Sequence, residues 1–221
     1  MSKEGMDQPF IDWAKEKLGH DIVASRERHG DQSTVYQLAS QEENYFLKIG
    51  SGLEKERERL EWAIGKLPVP RMVGFTHIGD RDALLLSAIE GENLAKLCKK
   101  WPAEKIVNKL AEVLRRFHDT GTKDCPFGTP GPGKVLVHGD ACLPNFIFNE
   151  DEFSGYIDLG DMRIDNAEVD FAAAVWSLQY NLGPGHGMSF LKKYGVKNAT
   201  KELAEDLRLK YEKMQKAWGL T

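Results

Sequence analysis

The sequence contains no apolar run approaching the roughly 20 residues needed to cross a bilayer, and Met1 to Gln8 is polar rather than signal-like. It has only three cysteines, Cys98, Cys125 and Cys142, with no metal-ligand spacing among them. That excludes a zinc cluster or a disulfide scaffold and reads as free thiols in a reducing compartment. There is no basic excess: the net charge is -4, which argues against a nucleic-acid partner and is compatible with a cationic substrate. Repeats and low-complexity tracts are also missing. What remains is an ordinary soluble composition, 41% hydrophobic and 29% charged, over 221 residues, enough for one domain or two small lobes. The expectation is a cytoplasmic protein, monomer or homodimer, with no membrane partner.

The most informative stretch is Val137-His138-Gly139-Asp140-Ala141-Cys142-Leu143-Pro144-Asn145, followed by Ile157-Asp158-Leu159-Gly160. Between them run Phe146 to Phe148, a polar turn near Asp151 and Glu152, and a second strand ending at Tyr156 and Ile157, which reads as a hairpin. Folding there places Asn145 opposite Asp158, and opposed residues of an antiparallel pair sit roughly 4.5–5.5 Å apart at Cα. One small cation can then bridge both side chains, with Asp140 on the loop leading into the same place. Two carboxylates and an amide oxygen around a hard cation suit Mg²⁺ carrying a nucleotide phosphate. Asp140 would orient or accept the proton of an attacking hydroxyl. A lone His-Gly-Asp is more often a turn cap, but Asn145 and Asp158 at this spacing reverse that reading. His118 and His138 read as scaffold, Cys142 as packing, and Asp170 as a helix-start residue bracing the loop.

Along the chain, Phe10–Leu18 reads as a helix, and 21–25, 34–38, 45–49 and 83–87 as strands, with a helix from Leu53 to about Lys66 ended by Pro68 and Pro70. Beyond Ile89-Glu90-Gly91 the pattern turns helical: Ala103 to His118, Asp170 to Leu182 and Lys201 to Trp218, with Thr129 to Gly133 a rigid connector. The expected architecture is α+β and bilobal: a nucleotide-binding lobe over 1–88, a small antiparallel sheet with one helix, and a mainly helical catalytic and substrate lobe over 89–221. A hinge near Ser87–Gly91 and a ligand cleft between the lobes follow.

Lys48 ends an apolar strand, where it either snorkels to water or meets a phosphate or carboxylate. In the next helix Leu53, Leu60, Ile64 and Leu67 form a stripe, and Glu56 fills its gap, so Glu56 should point inward and can pair with Lys48. Arg57 flanks the same stripe. Phe46, two residues before Lys48 on one strand face, can cover an adenine ring or serve as a core aromatic. The turn from Gly30 to Ser33 is short for a phosphate cradle, and contact there would come from backbone N–H groups.

With Tyr45-Phe46-Leu47-Lys48, the Glu56 helix ending in Gly65-Lys66-Leu67-Pro68-Val69-Pro70, His118 to Phe127, HGDACLPN and FSGYIDLG, the sequence resembles the aminoglycoside phosphotransferase family, the antibiotic-kinase branch of the protein-kinase-like fold. The aminoglycoside 3′-phosphotransferases are the nearest type. The resemblance implies an ATP- and Mg²⁺-dependent transfer to a hydroxyl of a small molecule. By it, Asp140 is catalytic, Asn145 and Asp158 hold Mg²⁺, and Lys48 with Glu56 holds the α- and β-phosphates. Phe46 would stack on adenine, and Ser87 to Ile89 would offer backbone groups to its edge. Four departures fall on the substrate side. Only Gly128 to Lys134 stands where the family has a pocket-lining helical segment, and Asp161 replaces an arginine. Tyr180 and Asn181 replace acidic positions, and Trp218-Gly219-Leu220-Thr221 replaces an aromatic carboxylate terminus. Gly139 in place of arginine, and the lack of Asp-Phe-Gly and Ala-Pro-Glu motifs, disfavour a protein kinase. Two other readings stand beside this one: a non-catalytic nucleotide-binding module, and a resistance kinase with a compact lid.

Overall fold

The computed structural model describes residues 3–19, 22–29, 33–40 and 43–217. The turn positions Gly30, Asp31, Gln32, Gln41 and Glu42, and the terminal Trp218 to Thr221, lie outside them. The chain divides into two units, Met1–Ile64 with Val69–Ile89, and Gly65–Pro68 with Glu90–Thr221.

The first unit holds helix α1 (Lys3–Leu18), strands β1 (Val23–His29), β2 (Ser33–Ala39) and β3 (Asn44–Gly50), helix α2 (Glu54–Ala63), and strands β4 (Met72–Ile78) and β5 (Arg81–Ser87). The strands form one antiparallel sheet in the order β1-β2-β3-β5-β4. Period-two alternation in β2 and β3 buries Tyr36, Leu38, Tyr45, Leu47 and Ile49 against Phe10, Ile11 and Ala14 of α1. Each such large side chain contributes about 1.5–3 kcal/mol. Buried Asp7 fixes the α1 approach by accepting from Tyr36 Oη at 2.8 Å and Arg81 Nη1 at 2.7 Å.

Three expectations are corrected here. The α2 helix stops at Ala63, before either proline, because Gly65 takes a left-handed turn at φ 78°. Ile64 is therefore off the helical stripe and 53% exposed, while Leu53, Leu60 and Leu67 are buried. The first strand begins at Val23, not at 21. Strand β4 has no counterpart in the sequence pattern: all seven of its residues are half-buried or exposed, and Gly74 lies flat beneath Trp13, whose ring a Cβ would meet at 3.0 Å.

The second unit continues with β6 (Glu92–Asn93), α3 (Leu94–Leu97), α4 (Ala103–His118), β7 (Lys134–Val137), β8 (Phe146–Asn149), β9 (Glu152–Tyr156), β10 (Arg163–Asn166), α5 (Glu168–Leu182), α6 (Gly187–Tyr194) and α7 (Lys201–Ala217). The apolar stripe of α4, including Ile106, Leu110, Val113, Leu114 and Phe117, is fully buried, as the 3.6-residue periodicity requires. Helix α4 packs on α6, and α5 on α7. No helix is long and apolar enough, among the described residues, to cross a membrane.

Candidate active site

The loop after β7 is held from below by one face of α5. Asp170, fully buried, accepts from the backbone N–H of His138 at 2.7 Å and of Gly139 at 2.8 Å, and from His118 Nε2 at 2.9 Å. One turn on, the carbonyl of Ala173 faces Cys142 Sγ, and one turn further Ser177 Oγ accepts from Leu143 N–H at 2.9 Å. The spacing 170, 173, 177 keeps all three on one helix face. Asp170 thus braces the loop through two backbone donors, and His118, which hydrogen-bonds Tyr194 Oη through its other nitrogen, belongs to the same frame. His138 donates from Nε2 to the carbonyl of Ile157 at 3.0 Å, tying the loop to the hairpin exit. Gly139 has φ 89°, and a Cβ there would sit 2.4 Å from the Asp161 carbonyl, so no side chain fits.

Within this frame Asp140 and Asn145 meet. Asn145, buried on a single 3₁₀ turn spanning Leu143–Asn145, donates from Nδ2 to the Asp140 carbonyl at 2.8 Å and to its Oδ2 at 2.9 Å. That leaves the Asn145 Oδ1 as its acceptor end. The hairpin of β8 and β9 forms, turning at Glu150 and Asp151, one residue earlier than expected. That earlier turn alone would set Asn145 opposite Tyr156; a bulge between Ile147 and Phe148 moves the pairing on by one, so the residue whose N–H bonds the Asn145 carbonyl, at 3.1 Å, is Ile157 rather than Asp158. Asp158 follows in a left-handed conformation, φ 61°, a region that aspartate enters more readily than most residues with a side chain and that Asp124 and Glu150 also occupy. Among the described residues no three acidic, histidine or cysteine side chains are grouped to hold a metal by themselves. A carboxylate with an amide oxygen is the kind of pair that binds Mg²⁺ together with substrate phosphates, and Asn145 and Asp158 supply one of each in neighbouring segments.

In the first unit Lys48 Nζ donates to Glu56 Oε2 at 2.6 Å, with the carboxylate side chain 4% exposed. Phe46 and Lys48 share the half-buried face of β3. The N–H of Ser87 bonds the Arg71 carbonyl at 2.9 Å and that of Ala88 the Asn44 carbonyl at 2.8 Å. Of Ser87 to Ile89, two backbone donors are therefore spent within the unit. Ser33 is the first residue of β2, paired with Gly50.

Sequence reasoning missed Tyr211. It lies on α7, is 5% exposed, and donates from Oη to Asp140 Oδ1 at 2.8 Å. A tyrosine on the buried stripe of an amphipathic helix gives no signal that distinguishes it from core. Its ring packs on Trp176 at 5.4 Å, and Trp176 stacks on Tyr180 at 5.3 Å and 15°. Tyr180 is 77% exposed and, with Trp176, Gln179, Arg208 and Glu212, lines a groove of about 200 Å³. Asn181 is turned back on its own helix, donating to the Ser177 carbonyl at 2.8 Å.

The cysteines are packing residues. Burial pushes the Cys98 thiol up to about 11 and raises the Cys142 thiol well above the usual range. At pH 8 a thiol at about 11, as at Cys98, is only about 10⁻³ ionised, and the thiolate is the species that reacts. Iodoacetamide should therefore label Cys98 and Cys142 slowly in the native protein and fast in guanidinium, as mass spectrometry would read. Fast native labelling of Cys142 would show that the loop does not stay closed.

Residues 129–205 match the family model described as "Phosphotransferase enzyme family". An aminoglycoside 3′-phosphotransferase of Escherichia coli is 26% identical over an alignment of 239 positions covering 84% of each chain. Among solved structures, the aminoglycoside-3′-phosphotransferase of type VIII superposes with a TM-score of 0.69 at 21% identity, over 89% of this chain and 97% of that one. The aminoglycoside phosphotransferase APH(3″)-Id from Streptomyces rimosus, solved with ADP and streptomycin, gives 0.72 at 19% identity, over 91% and 96%. The α+β, kinase-like fold is thus shared with these proteins. By family model over residues 129–205, and by sequence relatives and fold over most of its length, the chain resembles the aminoglycoside phosphotransferases.

Proposed function

We propose that the protein transfers the γ-phosphate of ATP, bound with Mg²⁺, to a hydroxyl of a small molecule. The observation that carries this reading is the pairing of Asp140 with Asn145. The amide nitrogen is spent on the aspartate, so Oδ1 is left to a cation while Asp140 is held for the acceptor. Asp140 orients the acceptor hydroxyl and takes its proton. Asn145 and Asp158 hold the divalent ion, which in such sites offsets the charge of the phosphates. Lys48, oriented by Glu56, binds the α- and β-phosphates, and Phe46 covers the adenine. Ile89, the position of 87–89 whose N–H is not spent on Arg71 or Asn44, faces the purine edge, and Ser33 lies beside the phosphates. The firm holding of Asp140 favours a catalyst over a binding module, which needs no base.

The acceptor side favours something other than a polycationic drug. The carboxylates of Glu205 and Glu212 are both engaged by Arg208, and Asp165 accepts from Arg163 Nε at 3.0 Å. Each charge-assisted contact missing from a bound polycation costs roughly 1.5–3 kcal/mol.

The test is coupled ATP turnover with and without Mg²⁺ across kanamycin, neomycin, macrolides and neutral amino-sugars. Turnover should need Mg²⁺ and rise most with a non-aminoglycoside acceptor, and expression should leave a sensitive bacterium at its control kanamycin tolerance. Equal ATP affinity with and without Mg²⁺ would overturn the roles of Asn145 and Asp158. A kanamycin tolerance that rises, and is lost with Asp140→Asn, would make the protein a resistance kinase with a compact lid.

A further inference from the structure

A carboxylate at the end of a short side chain turns readily about its last torsion, which is broad and roughly two-fold. A base that must meet one hydroxyl in one direction needs that torsion fixed, since small misplacements of reacting groups are costly. In this chain the Asp140 carboxylate has a donor on each oxygen: Asn145 Nδ2 on Oδ2 at 2.9 Å and Tyr211 Oη on Oδ1 at 2.8 Å. Each oxygen has two lone pairs, so two donors fix the plane and still leave an acceptor site on both.

The two donors come from different places. Asn145 belongs to the catalytic loop, whereas Tyr211 arrives from α7, distant in sequence and reaching the loop only through the fold. The phenol is itself held on two sides, by the Trp176 ring at 5.4 Å and by Cys142 Sγ, 3.4 Å from its oxygen. Because the one phenol proton goes to an acceptor-only carboxylate and the Cys142 thiol faces the Ala173 carbonyl, that second contact holds the phenol by packing. Burial raises the Tyr211 phenol far above its ordinary range, so it stays protonated, and remains a donor, at any working pH.

We infer that Tyr211 is a positioning residue for the phosphoryl-transfer base, locking the Asp140 carboxylate through Oδ1 and making the C-terminal helix part of the catalytic apparatus. The inference rests on Asp140 being the base.

The experiment is a double-mutant cycle of Tyr211→Phe and Asp140→Asn, read as steady-state release of radiolabelled phosphate from MgATP with water as acceptor. Tyr211→Phe keeps the ring against Trp176 and removes only the hydroxyl. It should lower kcat about tenfold, the scale of a modest misplacement, while the KM for MgATP stays within about twofold. In the Asp140→Asn background the same change should cost nothing further, because its effect passes through the carboxylate. Equal losses in both backgrounds would mean a structural role only and overturn the inference. A rise in turnover would also overturn it, since the phenol would then be a plug that blocks the base. Should Tyr211→Phe melt too low to assay, Cys142→Ala takes its place. It removes the thiol backing the phenol and should give a smaller kcat loss, again absent with Asp140→Asn; an unchanged kcat overturns the proposal. If Asp140→Asn alone leaves turnover untouched, the base assignment fails and the role of Tyr211 falls with it. If Asp140→Asn is slow and Tyr211→Phe is additive, only the role of Tyr211 fails.

Discussion

Asp140→Asn is expected to lower phosphoryl transfer to the true acceptor by about 10²–10⁴, the range for losing a positioned base, while nucleotide affinity is kept. The substitution is nearly isosteric, so the loop should not move. The Asn145 amide keeps its bond to the residue-140 backbone carbonyl, which the side-chain change does not touch. The new amide oxygen can still accept from Tyr211, leaving an NH₂ facing the Asn145 NH₂, two donors with nothing to share. The loss should therefore appear in kcat and little in the dissociation constant for MgATP, measured by calorimetry. Wild-type turnover by the variant with a confirmed acceptor would remove Asp140 from the chemistry.

The second large effect is one of stability. Asp170→Ala takes the partner from two buried backbone donors and from His118 in a single step. A buried donor left unsatisfied costs about 1–3 kcal/mol, so the two backbone N–H groups together cost about 2–6 kcal/mol. Against roughly 2–4 °C per kcal/mol for a chain of this size, the melting transition should fall by about 4–24 °C. Calorimetry of the purified variant measures it directly. A transition within about 2 °C of wild type would mean that water replaces the carboxylate, and that the loop is braced mainly from Ser177 and Ala173.

Much of this geometry is legible in the residues. The position of Glu56 in a stripe of leucines points it inward, and it is the buried partner of Lys48. The amphipathic segment from Ala103 to His118 forms the whole of α4, because its periodicity is strong and Asp119 onward offers no continuation. What the residues do not reveal is hidden for physical reasons. Strand β4 has no dry face along its length and so no alternation to detect. Ile64 looks like core only on the assumption that the helix runs on to the prolines, when a left-handed glycine ends it sooner. The short helices α3 and α6 carry only brief local marks, an Asn93 N-cap and a left-handed Gly195 C-cap, and at such lengths depend on packing for the rest. The bond from Tyr211 to Asp140 joins residues 71 apart, and no local pattern announces such a contact.

The unpaired Ser154 in the hairpin has a consequence for how this segment can evolve. With regular alternation Phe153 and Tyr156, three apart, would project to opposite sides of the ribbon. The extra residue brings them together, ring centroids 4.5 Å apart, in an aromatic column that also takes in Phe148 and Phe117. The strand thus changes phase partway along, and everything beyond the bulge inherits that phase, Ile157 and Asp158 included. Conservative replacements within the column only alter packing, whereas gain or loss of one residue there would exchange the outlooks of Ile157 and Asp158. Length drift should accordingly be tolerated at the Glu150–Asp151 turn, which lies at the far end of the ribbon, and purged between Phe153 and Asp158.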